Sequence, residues 1–119
     1  MRSDSDTVGN HILTDLFGIE AALLRDGPAL ESLLRRAAVD AGARVLSSHF
    51  HSFGEGAGIT GVVLLAESHI SIHTWPECGV AVADIFMCGA SDAERALEIL
   101  LQELAPADSQ SVSVGRGRR

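Results

Sequence analysis

The sequence contains no lysine; all nine of its basic residues are arginine. Decarboxylation of an amino acid usually relies on an aldehyde cofactor held as a Schiff base on a lysine, and that arrangement is closed to this chain. Cysteine is scarce as well. Cys78 and Cys88 are too few and too far apart for a disulfide framework or a CxxC zinc site, and free thiols fit a reducing compartment. No apolar run approaches the ~20 residues that span a bilayer, and residues 1–6 carry no hydrophobic signal core. A cytoplasmic protein without a membrane partner is expected. The net charge is −7, and the only basic cluster is Arg116, Arg118 and Arg119. That tail reads as a solvated terminus or an anion contact, and no nucleic-acid partner is expected. Internal repeats are absent, and Gly54, Gly56 and Gly58 sit between two strands with no helix following, which excludes a phosphate loop or a dinucleotide fingerprint.

What is present fits one domain spanning residues 1–119. Apolar residues make up 46% of it, with a mean hydropathy of +0.21, enough to suggest that some apolar surface is buried against another subunit. Residues 1–8 are polar and read as a frayed end; residues 9–16 alternate as a strand. Pro28 opens a helix over 28–41, whose Leu30, Leu33, Leu34, Ala37, Ala38 and Ala41 recur at helical spacing until Gly42. Strands over 43–53 and 59–66 flank the glycine-rich turn and form a hairpin. Residues 76–79 make a turn, 80–88 another strand, and Ser91 with Glu94 a capping box for a helix carrying Leu97, Leu100, Leu101 and Leu104. A short strand over 111–114 closes the chain. Hairpins dominate this order, which favours an α+β two-layer sandwich: an antiparallel sheet with two helices packed on one face.

One segment concentrates the chemistry. Residues 66–77 read Ala-Glu-Ser-His-Ile-Ser-Ile-His-Thr-Trp-Pro-Glu. In an extended chain alternate side chains share a face, so Ile70, Ile72 and Thr74 turn to the core while His69, Ser71 and His73 turn away. Three readings compete. Zinc could be held by His49, His51, His69 and His73, although HxH and HxxxH on strands lack the helical spacing of known zinc motifs. A Ser-His-acid hydrolase could use Ser68 or Ser71, but the glycine-flanked elbow that exposes such a nucleophile is missing. The third reading follows from the missing lysine: the chain makes its own carbonyl. A serine hydroxyl attacks the preceding peptide carbonyl, a base removes the serine α-proton, the resulting ester leaves by β-elimination, and dehydroalanine hydrolyses to a terminal pyruvoyl group. Ser68, after Glu67, has the right neighbours for this.

The run Glu67-Ser68-His69-Ile70-Ser71-Ile72-His73-Thr74-Trp75-Pro76-Glu77, followed by Asp84-Ile85-Phe86-Met87-Cys88-Gly89, resembles the signature of the prokaryotic S-adenosylmethionine decarboxylases, which are pyruvoyl-dependent. The likeness extends to Gly9-Asn10-His11-Ile12, Asp15-Leu16-Phe17-Gly18, His51-Ser52-Phe53 and Ile59-Thr60-Gly61-Val62-Val63, and covers roughly residues 9–104. It implies self-cleavage between Glu67 and Ser68 into chains 1–67 and 68–119, the second beginning with the pyruvoyl cofactor, with no metal and no pyridoxal phosphate. It further implies that His73 is the processing base and that Cys88 protonates the substrate carbon once carbon dioxide has left. Thr60, where many relatives have serine, would polarise the scissile carbonyl. Phe53 and His73 would sandwich an adenine, and Glu77 would accept hydrogen bonds from ribose hydroxyls.

The activity so implied is decarboxylation of S-adenosylmethionine, which supplies spermidine synthesis, by a homodimer whose two sheets meet with the sites near the interface. Asn10, Ile19 and Val80 depart from the common pattern, as does a hairpin turn without proline, and these departures touch the rim of the expected pocket. Two alternatives therefore stand beside the first: the same pyruvoyl chemistry on arginine or ornithine, and a non-catalytic binding or assembly homologue.

Overall fold

The computed structural model describes residues 6–119. In chain order the elements are β1 (Gly9–Phe17), α1 (Ala21–Leu24), α2 (Gly27–Asp40), β2 (Val45–Ser52), β3 (Ile59–Leu65), β4 (Ser68–Trp75), a 3-10 turn (Pro76–Cys78), β5 (Val80–Cys88), α3 (Ala93–Leu104) and β6 (Asp108–Arg116). The six strands form one antiparallel sheet in the order β2-β3-β4-β5-β1-β6. Its layers follow from strand parity. Ile12 and Leu16, Val63 and Leu65, Ile70 and Ile72, and Ile85 and Met87 point to one face, and the helices cover that face with Leu30, Leu33, Leu34, Ala37, Leu97, Leu100 and Leu104. This is the α+β sandwich expected of the sequence. Among the described residues no helix lies over the opposite face.

Local chemistry accounts for the element ends. Asp26 caps α2 by accepting the Ala29 N–H at 3.1 Å, and Pro28 sits where no intrahelical N–H is needed. The expected capping box of Ser91 and Glu94 is displaced by one residue: Asp92 is the N-cap of α3, accepting the Arg95 N–H at 3.2 Å, while the Ser91 hydroxyl donates to the Gly42 carbonyl. Helix α1 escaped the periodicity reading because four residues are too short to carry a period. Strand β6 runs well beyond 111–114, its length set by pairing to all of β1. Of the residues read as a frayed end, 1–5 lie outside the described residues; Thr7 is buried, and the Val8 N–H donates to the Arg116 carbonyl.

Two contacts fix the end of β4. Buried Thr74 accepts the Ile59 N–H at 3.0 Å and donates to the Leu24 carbonyl at 2.7 Å, joining β3, β4 and α1. Gly58 lies so close that a Cβ there would sit 2.0 Å from the Thr74 carbonyl oxygen, and glycine is required. No helix among the described residues is long and apolar enough to cross a membrane.

Candidate active site

The turn between β3 and β4 is only two residues long, because Leu65 pairs with Ser68. Closing it puts Glu67 in the left-handed region at φ 63°, a conformation that costs a non-glycine residue about 1–2 kcal/mol. Strain is thus held in the residue whose carbonyl forms the Glu67–Ser68 peptide. Register then brings β5 alongside: His69 faces Phe86, so Cys88, two residues on, reaches the turn. The Cys88 thiol donates to the Glu67 carbonyl oxygen at 3.2 Å and lies 4.0 Å from a Glu67 carboxylate oxygen. An N–H or S–H on that oxygen draws electrons from the carbonyl carbon and prepares it for a nucleophile. The Ser68 hydroxyl, beside it, donates to the Ala66 carbonyl at 3.4 Å. A cleft of about 510 Å³ opens here, lined by Glu67, Phe86, Cys88 and Arg119.

The other expected residues gather elsewhere. Phe53, Thr60, His73, Trp75 and Glu77 line a second cleft of about 340 Å³ at the far end of β4. Phe53 is 63% exposed, with the His51 ring edge-on to it at 4.7 Å, and the His73 ring is tilted against Trp75 at 6.5 Å. The Thr60 hydroxyl bonds His73 Nδ1 at 3.1 Å, so Thr60 touches the imidazole rather than the scissile carbonyl. Since His73 is five residues along β4 from Ser68, the two clefts of one chain are separated by roughly 16 Å of strand. Within one chain, therefore, Cys88 meets the Glu67 side of the Glu67–Ser68 peptide, and Phe53, Thr60, His73 and Glu77 gather in the second cleft, but the two sets do not meet. Of the departures noted in the sequence, Val80 borders the second cleft through its pair Trp75 and Asn10 lines a cleft beside Cys88, whereas the Ile19 side chain is buried in the core and its N–H donates to the Gly79 carbonyl.

The densest polar cluster was not singled out in the sequence. His11 on β1, His69 and Ser71 on β4 and Asp84 on β5 meet on the helix-free face. Asp84 accepts His11 Nε2 at 2.6 Å and His69 Nε2 at 2.8 Å on one oxygen and the Ser71 hydroxyl on the other. Burial raises the pKa of Asp84, but the hydrogen bonds from Ser71, His11 and His69 together with the charge of His69 outweigh it and hold the carboxyl below its ordinary value. Arg116 Nη1 lies 2.9 Å from His11 Nδ1; a guanidinium can only donate, so Nδ1 is the acceptor and the His11 proton sits on Nε2. The three ligand-type atoms of His11, His69 and Asp84 lie within 4.8 Å of one another. This wiring opposes a metal: a cation on Nε2 needs a proton on Nδ1 and an acceptor beyond it, and Arg116 occupies that place with a donor. The four-histidine zinc set read from the sequence does not assemble either, since His49 and His51 lie on β2, His73 bonds Thr60, and only His69 joins the cluster. A lone carboxylate in the apolar strand 80–88, with His11 at outward parity on β1, was the available signal.

The sequence model of the S-adenosylmethionine decarboxylase family matches residues 10–117. The chain belongs to this family. S-adenosylmethionine decarboxylase proenzymes with similar sequences include that of Persephonella marina, 48% identical over 84% of this chain and 75% of the relative, and that of Aquifex aeolicus, 46% identical over 84% and 74%. The crystal structure of the adenosylmethionine decarboxylase of Aquifex aeolicus superimposes with a TM-score of 0.88 at 40% identity, covering 96% of this chain and 94% of that one. For an S-adenosylmethionine decarboxylase family member, it matters that Ser68 and His73, expected to work as nucleophile and base, lie at the two ends of β4 in separate clefts.

Proposed function

We propose that this protein cuts itself between Glu67 and Ser68 and then, as a homodimer, decarboxylates S-adenosylmethionine. The observation that carries the reading is the strained Glu67 carbonyl, held by the Cys88 thiol and adjacent to the Ser68 hydroxyl. Ser68 Oγ bonds to the Glu67 carbonyl carbon, the C–N bond breaks, and the hydroxyl proton passes to the freed amine. A base takes the Ser68 α-proton and the Cβ–O bond breaks, releasing chain 1–67 as a carboxylate. The dehydroalanine left on chain 68–119 takes up water and loses ammonia. What this pyruvoyl group supplies is a carbonyl that combines with the substrate amine and accepts the electron pair left by carbon dioxide.

His73 suits the base, since an imidazole is the side chain most often used to take a proton, but its own Ser68 is out of reach. A second copy supplies the missing half. The helix-free face carries exposed Leu13, Leu64, Val82, Val112 and Val114, apolar surface that a second copy would cover, and sheet-to-sheet packing about a twofold axis would lay the His73 cleft of one protomer on the Ser68 turn of the other. In such a composite site Phe53 and His73 offer flat faces to an adenine, the rings favour a sulfonium charge, and Glu77 accepts from ribose hydroxyls. Cys88 holds a proton to return to the substrate carbon. The aromatic lining of the second cleft favours an adenosyl substrate over the linear side chains of arginine or ornithine.

Intact mass under denaturing conditions tests the first step. Two fragments, with 68–119 lighter by one ammonia than a serine-started chain, are expected; one species at 12.5 kDa from folded protein would overturn the reading. Purified cut protein should then release carbon dioxide from S-adenosylmethionine and not from arginine or ornithine.

A further inference from the structure

We propose that Asp84 is a positioning residue that keeps the new end of chain 68–119 in place after the cut, an inference that rests on the cleavage reading above. Before cleavage, Ser68 is tethered through the two-residue turn to β3. Afterwards it ends a strand, and strand ends fray unless something ties them down. The backbone ladder ties this end poorly. Ser68 has a partner only on β3, at Leu65, and the first pair with β5 is His69 with Phe86. A pyruvoyl end also has no N–H to donate.

Side chains make up the deficit, and they converge on one carboxylate. His69, the residue to whose nitrogen the new group is attached, and Ser71, two residues on, both donate to Asp84. Asp84 is itself anchored from the other side by His11, which Arg116 holds in the donating tautomer. The His69 ring is further bracketed by His11 and Phe86, at centroid distances of 5.9 and 6.1 Å. Cys88 stands on the same strand and the same face as Asp84. Gripping His69 and Ser71 from β5 therefore fixes the reacting end of β4 relative to the thiol, without Asp84 touching the reacting atoms. The turn makes this grip redundant before the cut and necessary after it.

Deuterium exchange of the amides at 69–71 reads this difference directly, in four proteins: cut wild type, cut Asp84→Asn, and both in the uncuttable Ser68→Ala background. Asp84→Asn is expected to speed exchange by about tenfold or more in cut protein, the change in local opening that one charge-assisted hydrogen bond governs, and by less than about threefold in the uncut pair. In turnover, kcat should fall while KM for S-adenosylmethionine stays within about twofold, since Asp84 lies outside the Phe53–Glu77 cleft. Equal acceleration in cut and uncut protein would mean a merely structural contact and overturn the proposal. So would no acceleration in the cut protein, or a natively folded Asp84→Asn that fails to cut. If Asp84→Asn does not fold, His69→Phe keeps the ring, gives up the bond to Asp84, and is expected to show the same split. Wild type that stays a single mass by the time of assay sinks the cleavage reading and this proposal together, whereas cut wild type with indifferent exchange sinks this proposal alone.

Discussion

Coexpression of two inactive variants decides whether the site is shared between protomers. Ser68→Ala removes the proposed nucleophile and His73→Gln the proposed base. Loss of a general base alone costs a factor of roughly 10²–10⁴, so each homodimer should be dead on the timescale of the assay. Within a chain, Ser68 and His73 stand roughly 16 Å apart along β4, far beyond the distance over which a proton is handed directly between groups. If His73 serves the partner's turn, a mixed dimer holds one site with both lesions and one with neither. Random pairing of equal amounts makes about half of all dimers mixed, so about one quarter of sites should be intact. The assay is the fraction of chains cut, by denaturing mass spectrometry, with carbon dioxide release from S-adenosylmethionine as a second measure. Cleavage of about one quarter of all chains, confined to those carrying His73→Gln, is expected. No cleavage above that of the separate variants would refute a shared site and require a rearrangement that brings His73 to its own Ser68.

Two further perturbations test the frame around the site. Thr74→Val keeps the shape but strands the Ile59 N–H and the Leu24 carbonyl, and should cost about 1–3 kcal/mol, measured as a lower urea midpoint with unchanged slope. Asp84 has a lowered pKa in the folded protein, so its contribution to stability is full above the unfolded value near 3.8 and is lost as pH falls through the lower folded value. Unfolding free energy measured from pH 6 downward should therefore fall in that acid window, and Asp84→Asn should flatten that part of the curve.

Much of the fold was legible because burial and strand parity agree. Ile70, Ile72 and Thr74 are buried while His69, Ser71 and His73 lie on the other face, as alternation demands. The capping signal at 91–94 failed by one position because serine and aspartate are both good caps and stand side by side. Strand β6 was underread because its serines and glutamine carry no apolar alternation until Val112, and only its ladder to β1 reveals its length. The site was legible in its parts and not in its arrangement. Cys88 at the turn follows from strand order, and the five residues of strand between Ser68 and His73 already set them roughly 16 Å apart, which the pairing of the two as nucleophile and base passed over. The meeting of His11 with Asp84, 73 positions away, depends on β1 inserting between β5 and β6, a choice no local pattern encodes.

That insertion has a consequence for a protein cut, as proposed, between Glu67 and Ser68. Chain 1–67 supplies β1, β2 and β3 and chain 68–119 supplies β4, β5 and β6, yet the sheet order interleaves them, so that β3 with β4, β5 with β1 and β1 with β6 are all seams between fragments. The molecule nicked there would be a two-component complex whose parts cannot separate without dismantling the sheet. Its unfolding midpoint should rise more steeply with protein concentration than that of the uncut chain, whose only bimolecular step is the pairing of protomers. Because elimination would erase the serine, no reversal of the cut could restore the linkage. The continuous chain serves as a template used once, and the working protein thereafter depends on how slowly its sheet comes apart.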